Sequence, residues 1–560
     1  MRPSIIALLL AVFVLRAPVL AQEDEGFEHI ELRVTGTRSG SKVVVDRGKN
    51  DGVAVGDLVL LRPRAGGPVR GAVIEVDERT AVVELFDRSF APSTGMRGEA
   101  WIPVSRFAAP EPDPAEQPPG AAGAAGAPGQ PEWENQDETW TPGMPLLAEV
   151  DAVRPKDRAQ RITGRIYSIG RYIDATQDDR TDSYLRFGTD VVYENPFHRG
   201  GLLNFDAEIN NQSTFVQDQV DLEEGRLRLD RLSYASGGTR FRASRWEAGR
   251  FLQYGVPEFG VLDGFEWTKK RTNGDRWGAS LGFMPVPDAL YDTGDDFQFA
   301  GYYTWVADDS ERLAFTGGYQ KTFHDGNADR DLVLAKFHYL PLSGWSVHAA
   351  AWLDIYTGGD DLKDSGMELT TLRASVGRRW KGGHGIDVGY LHSKFPQIDR
   401  FEFTPPGDAV VSDGVYDRIG VTGWKMMGNR RLHGHVGGWV DENDSGGNAD
   451  LGFEVPNILV EESRSDFVVF GTNGSFDSMA GFRFNYAWPA WSGGWDVVYE
   501  VANGRFYGFD PDRDDVVQNR LVARRDLFLR SGWNFSVDGG VQYWDNEHAW
   551  SIGFYLQKSF

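Results

Sequence analysis

The feature that most constrains this chain is a strict alternation of apolar and polar side chains through roughly its last 400 residues. In Trp533–Tyr543 the odd positions are apolar or glycine, and the even positions are polar or glycine. Leu203–Asn210 repeats the pattern, and the odd positions of Trp345–Ile355 form another apolar face. A period of two places successive side chains on opposite faces of a strand. The segment therefore predicts strands with one apolar face and one wet face.

A soluble sandwich shows the same alternation, but further features favour a membrane-spanning barrel. Strand patterns of ~10 residues follow one another from about residue 161, with no helical pattern between them. Short glycine-containing turns alternate with longer acidic loops, as they do in outer-membrane barrels. Tryptophans cluster at strand ends, which suits the aromatic girdles at the two membrane surfaces. They are Trp305, Trp424, Trp439, Trp488, Trp491, Trp533 and Trp544.

The number of strands should be even, because both ends of such a barrel are expected on the periplasmic side. The longer loops are expected at 284–296, 323–331, 356–366, 395–414 and 506–518. About 21 strand patterns are clear, and a weaker one over 450–459 restores parity. We therefore predict an all-β chain with a large antiparallel transmembrane β-barrel of about 22 strands, within a range of about 18 to 22.

Composition is compatible with this barrel and excludes several other classes. Mean hydropathy is −0.40, and no stretch after residue 21 offers the ~18 apolar residues of a spanning helix. In a barrel, hydropathy averages away along alternating strands. The net charge of −24 argues against nucleic-acid binding. The absence of cysteine excludes structural disulfides, zinc–thiolate sites and a lipid-modified N-terminal cysteine.

The first 21 residues have the pattern of a signal peptide. Arg2 gives a positive start, Ile5–Leu15 is an apolar core of signal-peptide length, and Val19 and Ala21 are small residues at the cleavage positions. We expect cleavage after Ala21 and export of the chain. The expected location is the outer membrane of a Gram-negative-type bacterium.

Residues 22–105 are expected to form a small all-β periplasmic domain, either a barrel or a sandwich. Its β-rich runs are 31–34, 42–46, 58–62, 71–76 and 81–86. The phrase Gly48–Asp57 resembles the turn in small periplasmic β-barrel modules, including the C-terminal domain of the flagellar-assembly T protein. The resemblance covers about ten residues and implies a small periplasmic β-module.

Residues 106–150 change character and separate this domain from the barrel, which is expected over 151–560. Five prolines between Pro110 and Pro119 precede a glycine- and alanine-rich stretch. Such a composition buries no core and predicts a linker. The linker is either a tether that lets the N-terminal domain search the periplasm or a passive spacer.

The C-terminus resembles the signal that bacterial outer-membrane barrels present to their insertion machinery. The chain ends on Phe560, with Leu556, Phe554 and Ile552 at alternate positions before it. Lys558 departs from the pattern, since that position is usually apolar or aromatic. The resemblance implies that the barrel-insertion machinery is a partner of this strand.

Arginines concentrate on two neighbouring predicted strands between residues 226 and 250. A lipid-facing arginine near the membrane midplane costs ~2–4 kcal/mol, so most should face the lumen or lie at the interfaces. Alternation places Arg231 and Arg245 on the opposite face, near the interfaces. The candidates for a pore constriction are Arg226, Arg228, Arg240, Arg242 and Arg250.

With acidic neighbours such as Glu208 and Glu247, this set resembles the charged constriction of general porins, which implies passage of polar or anionic solutes. The alternative is that the guanidinium groups pair with carboxylates and brace the wall. The sequence thus favours a porin-like channel for passive diffusion of small polar or anionic solutes, with a tethered periplasmic accessory domain. The expected partners are outer-membrane lipid and lipopolysaccharide, the insertion machinery and small polar solutes, and not nucleic acid.

Three other functions remain as alternatives. The first is a structural or adhesive anchor whose periplasmic domain binds the cell wall or a protein partner. A plugged transporter is less favoured, because residues 27–104 are fewer than the ~130 of a globular plug and are separated from the barrel by a proline- and glycine-rich linker. An enzyme is less favoured because no serine is spaced to pair with His433 or His435. No catalytic residue, cofactor or metal site is expected.

Overall fold

The structure is a computed structural model, and the part of the chain that it describes forms two β-barrels. The described residues are 27–37, 42–62, 69–86, 92, 96–103, 106, 159–176, 179–216, 222–239, 242–286, 292–307, 311–341, 343–356, 365–396, 415–441, 444–475, 477–506, 515–529, 532–544 and 547–560. The expected signal peptide and nearly all of the expected linker lie outside these ranges. Within them, no helix has the length and apolar character needed to cross a membrane.

The N-terminal part folds into a small barrel of six antiparallel strands. These are β1 (Phe27–Thr37), β2 (Lys42–Val45), β3 (Leu58–Arg62), β4 (Val69–Val76), β5 (Ala81–Leu85) and β6 (Arg97–Pro103). They close in the order β1-β2-β5-β4-β3-β6 around buried side chains such as Val43, Val83 and Ile102. The phrase Gly48–Asp57 contains a short 3-10 helix, Lys49–Asp51. Gly52 ends it with φ 83°, a left-handed conformation that favours glycine.

Each of the five predicted runs overlaps a strand, but β6 was not predicted. β6 closes the small barrel, because it pairs with β1 on one side and with β3 on the other. Its sequence holds glycine, glutamate, alanine and proline, which are uncommon in strands. The long-range closure of the barrel therefore determines this strand, rather than its local propensity.

The C-terminal part forms the large barrel, a closed wall of 22 antiparallel strands in chain order. The strands are β7 (Arg161–Ala175), β8 (Arg180–Glu194), β9 (Leu202–Val216), β10 (Leu222–Thr239), β11 (Arg242–Leu252), β12 (Val261–Lys270), β13 (Arg276–Met284), β14 (Asp296–Val306), β15 (Leu313–His324), β16 (Asn327–Tyr339), β17 (Trp345–Tyr356), β18 (Gly366–Arg379), β19 (Gly385–Ser393), β20 (Tyr416–Met427), β21 (Arg430–Val440), β22 (Ser445–Pro456), β23 (Arg464–Asn473), β24 (Asp477–Ala490), β25 (Gly493–Phe506), β26 (Val516–Leu529), β27 (Trp533–Trp544) and β28 (Glu547–Ser559).

The wall closes where β28 pairs with β7. At this seam the backbones of Gly164 and Phe560 exchange two hydrogen bonds of 3.0 Å. We call the end of the wall where β7 begins and β28 ends the terminal rim, and the opposite end the far rim. Because the strands alternate in direction, every odd-numbered strand of the wall begins at the terminal rim.

The predicted all-β fold and the predicted number of strands are confirmed. The strand that parity required near residue 450 is β22, although it begins before the predicted 450–459. The prediction of a long loop at 323–331 is wrong. β15 and β16 are joined by a tight turn at Asp325 and Gly326, whose φ angles of 49° and 83° are those of a two-residue hairpin.

Alternation along each strand separates an apolar outer face from a polar inner face. Leu227 on β10 and Val436 on β21 are 68% and 63% exposed on the outside of the wall. On β27 the exposed apolar positions include Val541 and Tyr543, while Ser536 and its even-numbered neighbours line a cavity inside. Exposed apolar residues on every side of a closed barrel are what a surrounding lipid phase requires.

Candidate functional site: the lumen of the large barrel

The inner face of β8–β10 carries paired charges. The buried carboxylate of Glu208 on β9 lies 3.2 Å from the guanidinium groups of Arg186 on β8 and Arg228 on β10. Arg228 also lies 2.8 Å from Asp230. One carboxylate between two guanidinium groups ties three strands together. On this side of the lumen, arginine and carboxylate charges therefore largely cancel.

A β-bulge on β10 decides which way the following side chains point. The register against β9 slips between Leu229 and Arg231, which makes Asp230 the extra residue. The slip turns Arg231 and Ser233 into the lumen. Both donate hydrogen bonds to Glu247 Oε1, at 2.8 Å and 2.6 Å.

Glu247 is only 1% exposed and also accepts a hydrogen bond from Arg245. The expectation that Arg231 and Arg245 face away from the lumen is therefore wrong. For Arg231 the reason is the bulge, which shifts the alternation by one residue. For Arg245 the reason is different. The side chains of β11 alternate as predicted, but the face that was expected to point outward points into the lumen.

The same exchange of inner and outer faces along β11 removes Arg250 from the lumen. Arg250 lies opposite Leu232 in the register of β10 and β11, on the outer face, and its Nε donates to Asp263 Oδ1 at 2.6 Å. Its expected place in a constriction is thus corrected. An ion pair near the far rim lets a guanidinium stay on the outer face without entering the apolar belt. Arg242 is removed from the lumen as well, because alternation along β11 places it on the outer face with Arg250. It lies at the start of β11 near the terminal rim and donates to Ser236 Oγ at 3.2 Å.

Two constriction candidates remain in the described lumen. Arg226 shares the inner face of β10 with Arg228 and pairs with Glu224. Arg240 lies outside the described residues. The strands thus bring Arg226 and Arg228 together on the inner wall.

The small barrel contacts the inner wall at the terminal rim. Arg33 on β1 forms an ion pair with Asp190 on β8, and the two side chains are only 14% and 12% exposed. Further contacts join Arg47 to Glu194 (3.5 Å), Arg161 to Asp51 (3.1 Å), and Gln557 Nε2 to the carbonyl of Thr35 (2.7 Å). The sequence left open whether the linker is a tether for a searching domain or a passive spacer, and the structure shows the small barrel held against β7, β8 and β28.

Charges of the small barrel lie within the field of the wall. Enclosure by itself would raise the pKa of Glu31. The positive charges of four arginines outweigh this effect and lower the pKa; they are Arg97, Arg33, Arg231 and Arg245. Enclosure together with Arg231 and Arg33 lowers the pKa of Arg97 to about 9, so this guanidinium stays protonated at neutral pH. Glu31 is thus a counter-charge for four arginines from both barrels.

Simple geometry shows that one barrel has room for the other. Twenty-two strands spaced ~4.8 Å apart and tilted by ~40° enclose a circle about 44 Å across, or about 34 Å inside the inward side chains. Six strands give about 13 Å between backbones, and about 23 Å with outward side chains. A small barrel whose axis follows the lumen therefore takes up about half of the lumen's cross-section.

A second element narrows the lumen from the far rim. The segment 253–260 between β11 and β12 folds inward and contains a short 3-10 helix, Pro257–Phe259. Val256 and Phe259 are buried against the inner faces of β14 and β16. The carboxylate of Glu266 on β12 holds the segment by accepting two of its backbone N–H groups, at 2.7 Å and 3.0 Å.

Two cavities lie along the described inner wall of the lumen. The first, of about 620 Å³, lies between the small barrel and the inner faces of β7 and β26–β28. The second, of about 760 Å³, runs along β20–β24 and is lined by the wall alone. Sequence reasoning missed Arg520 and Arg524, which line the first cavity. Their signal was available, because they share one face of β26 with Asp526.

The histidines weighed for catalysis have other partners. His433 pairs with Asp466 at 2.9 Å, and His435 with the hydroxyl of Thr422 at 3.0 Å. In the described part of the chain, neither ring contacts a serine, and no three metal-ligating side chains cluster. Both rings thus belong to the polar lining of the lumen.

The residues of the expected insertion signal lie along β28. Ile552 and Phe554 are exposed on the outer face, and Leu556 shares that face by alternation. The ring of Phe554 covers Gly170, where a Cβ would lie 2.1 Å from it. Phe560 closes the seam, as described above. Their role in insertion stays a prediction.

A closed wall with an apolar outside and a charged inside defines a class of protein, the transmembrane β-barrel. No protein-family model matches the sequence, and neither does any curated protein. Among solved structures, the translocation pore of the E. coli P pilus usher (PapC) is similar, at 8% identity over 71% of this chain and 99% of that chain (TM-score 0.42). Pseudomonas aeruginosa OccK2 in complex with glucuronate matches at 9% over 71% and 98% (0.32), and Pseudomonas putida OprB at 10% over 72% and 93% (0.27). These identities assign the chain to no family.

Proposed function

We propose that the protein is an outer-membrane, porin-like channel through which small polar or anionic solutes diffuse passively. The observation that carries this proposal is the inner wall, where charged and polar side chains such as Arg228, Glu208 and Glu247 follow one another behind an apolar outer face. A polar lining replaces the hydration of a solute, which an apolar lining cannot do. A soluble protein has no need for an apolar outer face around a polar interior.

The small barrel is proposed to lie on the periplasmic side. Both ends of the wall meet at the terminal rim, and the ends of outer-membrane barrels are periplasmic. The ion pairs Arg33–Asp190 and Arg161–Asp51 hold the small barrel at that rim. It would then act as an accessory domain that narrows the channel, rather than as a domain that searches the periplasm.

Arg226 and Arg228 are proposed to set the field on one side of the lumen. Their charge is offset by Glu224, Glu208 and Asp230, which supports a transverse field of alternating sign rather than a ring of one sign. Such a field orders water and polar solutes in a narrow passage. These pairs also brace the wall, so one arrangement serves both purposes.

The anchor function remains the alternative. It requires a free surface on the small barrel for a cell-wall or protein partner. The largely buried pair Arg33–Asp190 already occupies part of that surface, which favours the channel. Lipopolysaccharide at the far rim and the insertion machinery at β28 are the further partners we propose.

Reconstitution in planar bilayers tests the proposal. Purified full-length protein should insert and give discrete conductance steps. Heat-modifiable migration on gels is the control that the wall is folded. Folded protein that leaves the bilayers silent would overturn the channel and favour the anchor.

A further inference from the structure

The first cavity is the place where the two barrels face each other without ion pairs. Gly36 and Pro92 of the small barrel line one side of it, and β7 and β26–β28 line the other. A Cβ on Gly36 would lie 3.3 Å from Asn534 Nδ2, so the gap closes at this point. Its volume of about 620 Å³ is in the range of sites that hold small molecules.

The charges that line this cavity are not balanced. Three guanidinium groups, from Arg171, Arg520 and Arg524, face two carboxylates, from Asp526 and Asp538. Arg524 Nε donates to Asp526 Oδ1 and to Ser536 Oγ, each at 3.0 Å. Within the described chain, Arg171 and Arg520 have no ion-pair partner, and both are exposed to the cavity.

The neighbouring part of the wall, β8–β11, differs on this point. There Arg186 and Arg228 share Glu208, and Arg231 and Arg245 share Glu247. Paired guanidinium groups have little donor capacity left for a solute, whereas unpaired ones keep a full fork of N–H donors. Arg171 and Arg520 therefore keep N–H donors that a solute can use, whereas the paired arginines of β8–β11 do not.

We propose that this cavity is a binding site for a small oxyanion, a carboxylate or a phosphate, and the passage by which such solutes cross the lumen. The inference rests on the proposed channel and names its solute class. Arg171 and Arg520 bind the oxyanion from two sides of the cavity. Arg524 is fixed between Asp526 and Ser536 and adds positive charge nearby.

The second cavity offers a poorer route for anions. Among its lining residues, Arg418 and Arg483 face Asp450 and Asp466, so the charges cancel. Arg483 is also paired with Glu500 at 2.5 Å. The small barrel, with its ion pairs to β7 and β8, and the inward segment 253–260 occupy other parts of the lumen.

The first test replaces Arg171 and Arg520 together with glutamine and measures single-channel currents in a salt gradient with inorganic phosphate added. The reversal potential should shift toward cations, and block by phosphate should weaken by about tenfold, the loss expected for one or two charge-assisted hydrogen bonds. The matched control is Arg418→Gln in the second cavity, which should change neither. Normal conductance with unchanged selectivity and block would overturn the site and leave the channel standing. A silent wild-type protein would overturn both.

A second test locates the passage and does not depend on removing arginines. The chain has no cysteine, so a single thiol can be placed by Ser551→Cys in the first cavity or by Thr472→Cys in the second. An anionic methanethiosulfonate reagent should lower the conductance of the first variant and not of the second. Block at Thr472→Cys alone, equal block at both positions, or block at neither would show that anions do not cross beside Arg171 and Arg520.

Discussion

The two barrels of this molecule use the same alternation in opposite senses. The small barrel encloses apolar side chains such as Val43 and Val83 and presents charges such as Arg33 on its outside. The large barrel presents apolar side chains such as Val436 outside and encloses charges such as Asp190. Six strands close around side chains that fill the interior, whereas 22 strands leave a wide lumen. Ring size and solvent, rather than local pattern, decide which face is buried.

This difference explains why one barrel docks inside the other. The polar outside of the small barrel meets the polar inside of the large one, and the contacts are ion pairs and hydrogen bonds rather than apolar surfaces. Such contacts are strong only where water is excluded, as it is at Arg33 and Asp190. The docking should therefore be more sensitive to charge removal than either barrel is by itself.

The largest expected effect comes from a charge placed in the apolar interior of the small barrel, which the polar interior of the large barrel would tolerate. Val43→Asp places a carboxylate in the filled core of the small barrel, which should cost more than about 4 kcal/mol and unfold it. The wall should stay folded, because its own interior is polar. With the small barrel unfolded, about half of the cross-section is freed, so single-channel conductance should rise by about twofold.

The neighbouring residue provides the control for this substitution. Val44 alternates with Val43 on β2 and is not buried in the core, so Val44→Asp should leave both the fold and the conductance nearly unchanged. Limited proteolysis of residues 27–103 measures unfolding independently of conductance. Equal sensitivity of the two variants would mean that the small barrel has no filled core.

The second prediction concerns the docked interface. Asp190→Ala leaves Arg33 nearly buried without its carboxylate, which costs about 3–5 kcal/mol at such sites. Docking is measured by disulfide formation in a Gly36→Cys/Asn534→Cys variant, since the two positions adjoin and the chain has no other thiol. Adding Asp190→Ala should slow the cross-link strongly. An unchanged cross-linking rate would show that this pair does not hold the small barrel.

The third prediction concerns the outer face of the wall. Leu451 is exposed near the middle of β22, so Leu451→Arg should destabilise the folded barrel in lipid by ~2–4 kcal/mol. Asp450→Arg, one residue earlier and facing the lumen, should cost much less. Urea titration in lipid vesicles compares them. Similar costs at the two positions would contradict the assignment of the two faces.

The sequence predicted the parts that depend on local pattern. Strand alternation, the number of wall strands and the small β-domain follow from periodicity and parity, and β22 was placed by a weak strand pattern together with parity. The faces predicted for Arg231 and Arg250 were wrong. The extra residue Asp230 leaves no trace in a two-residue period, and a strand of mixed residues does not indicate which face is inside.

Docking of the small barrel was not predictable for a different reason. Arg33, Arg47 and Asp51 have the composition of an ordinary solvated surface, and their partners lie more than a hundred residues away in the sequence. The imbalance at Arg171 and Arg520 is also hidden. It depends on which carboxylates reach which guanidinium groups after the wall has closed.

The smallest expected effect is a pH dependence of docking that arises from Glu31. The pKa of this carboxyl lies below its ordinary value of 4.5; enclosure opposes that shift, and Arg97, Arg33, Arg231 and Arg245 outweigh it. Arg231 and Arg245 belong to the wall, so they act on Glu31 only in the docked state. The attraction of Arg231 and Arg245 for ionised Glu31 therefore favours docking above about pH 4.5. This contribution is lost as the pH falls through the lowered value.

The measurement is release of the small barrel after the expected linker has been cut by mild proteolysis. The fraction of the fragment washed from membranes should be small at pH 6 and should grow below about pH 4.5. Glu31→Gln should release more fragment at pH 6 and flatten the dependence. Burial raises the pKa of Asp46, so that group contributes with the opposite sign. Because Asp46 is retained in the Glu31→Gln variant, a pH dependence that survives the substitution unchanged would show that Glu31 does not couple the two barrels.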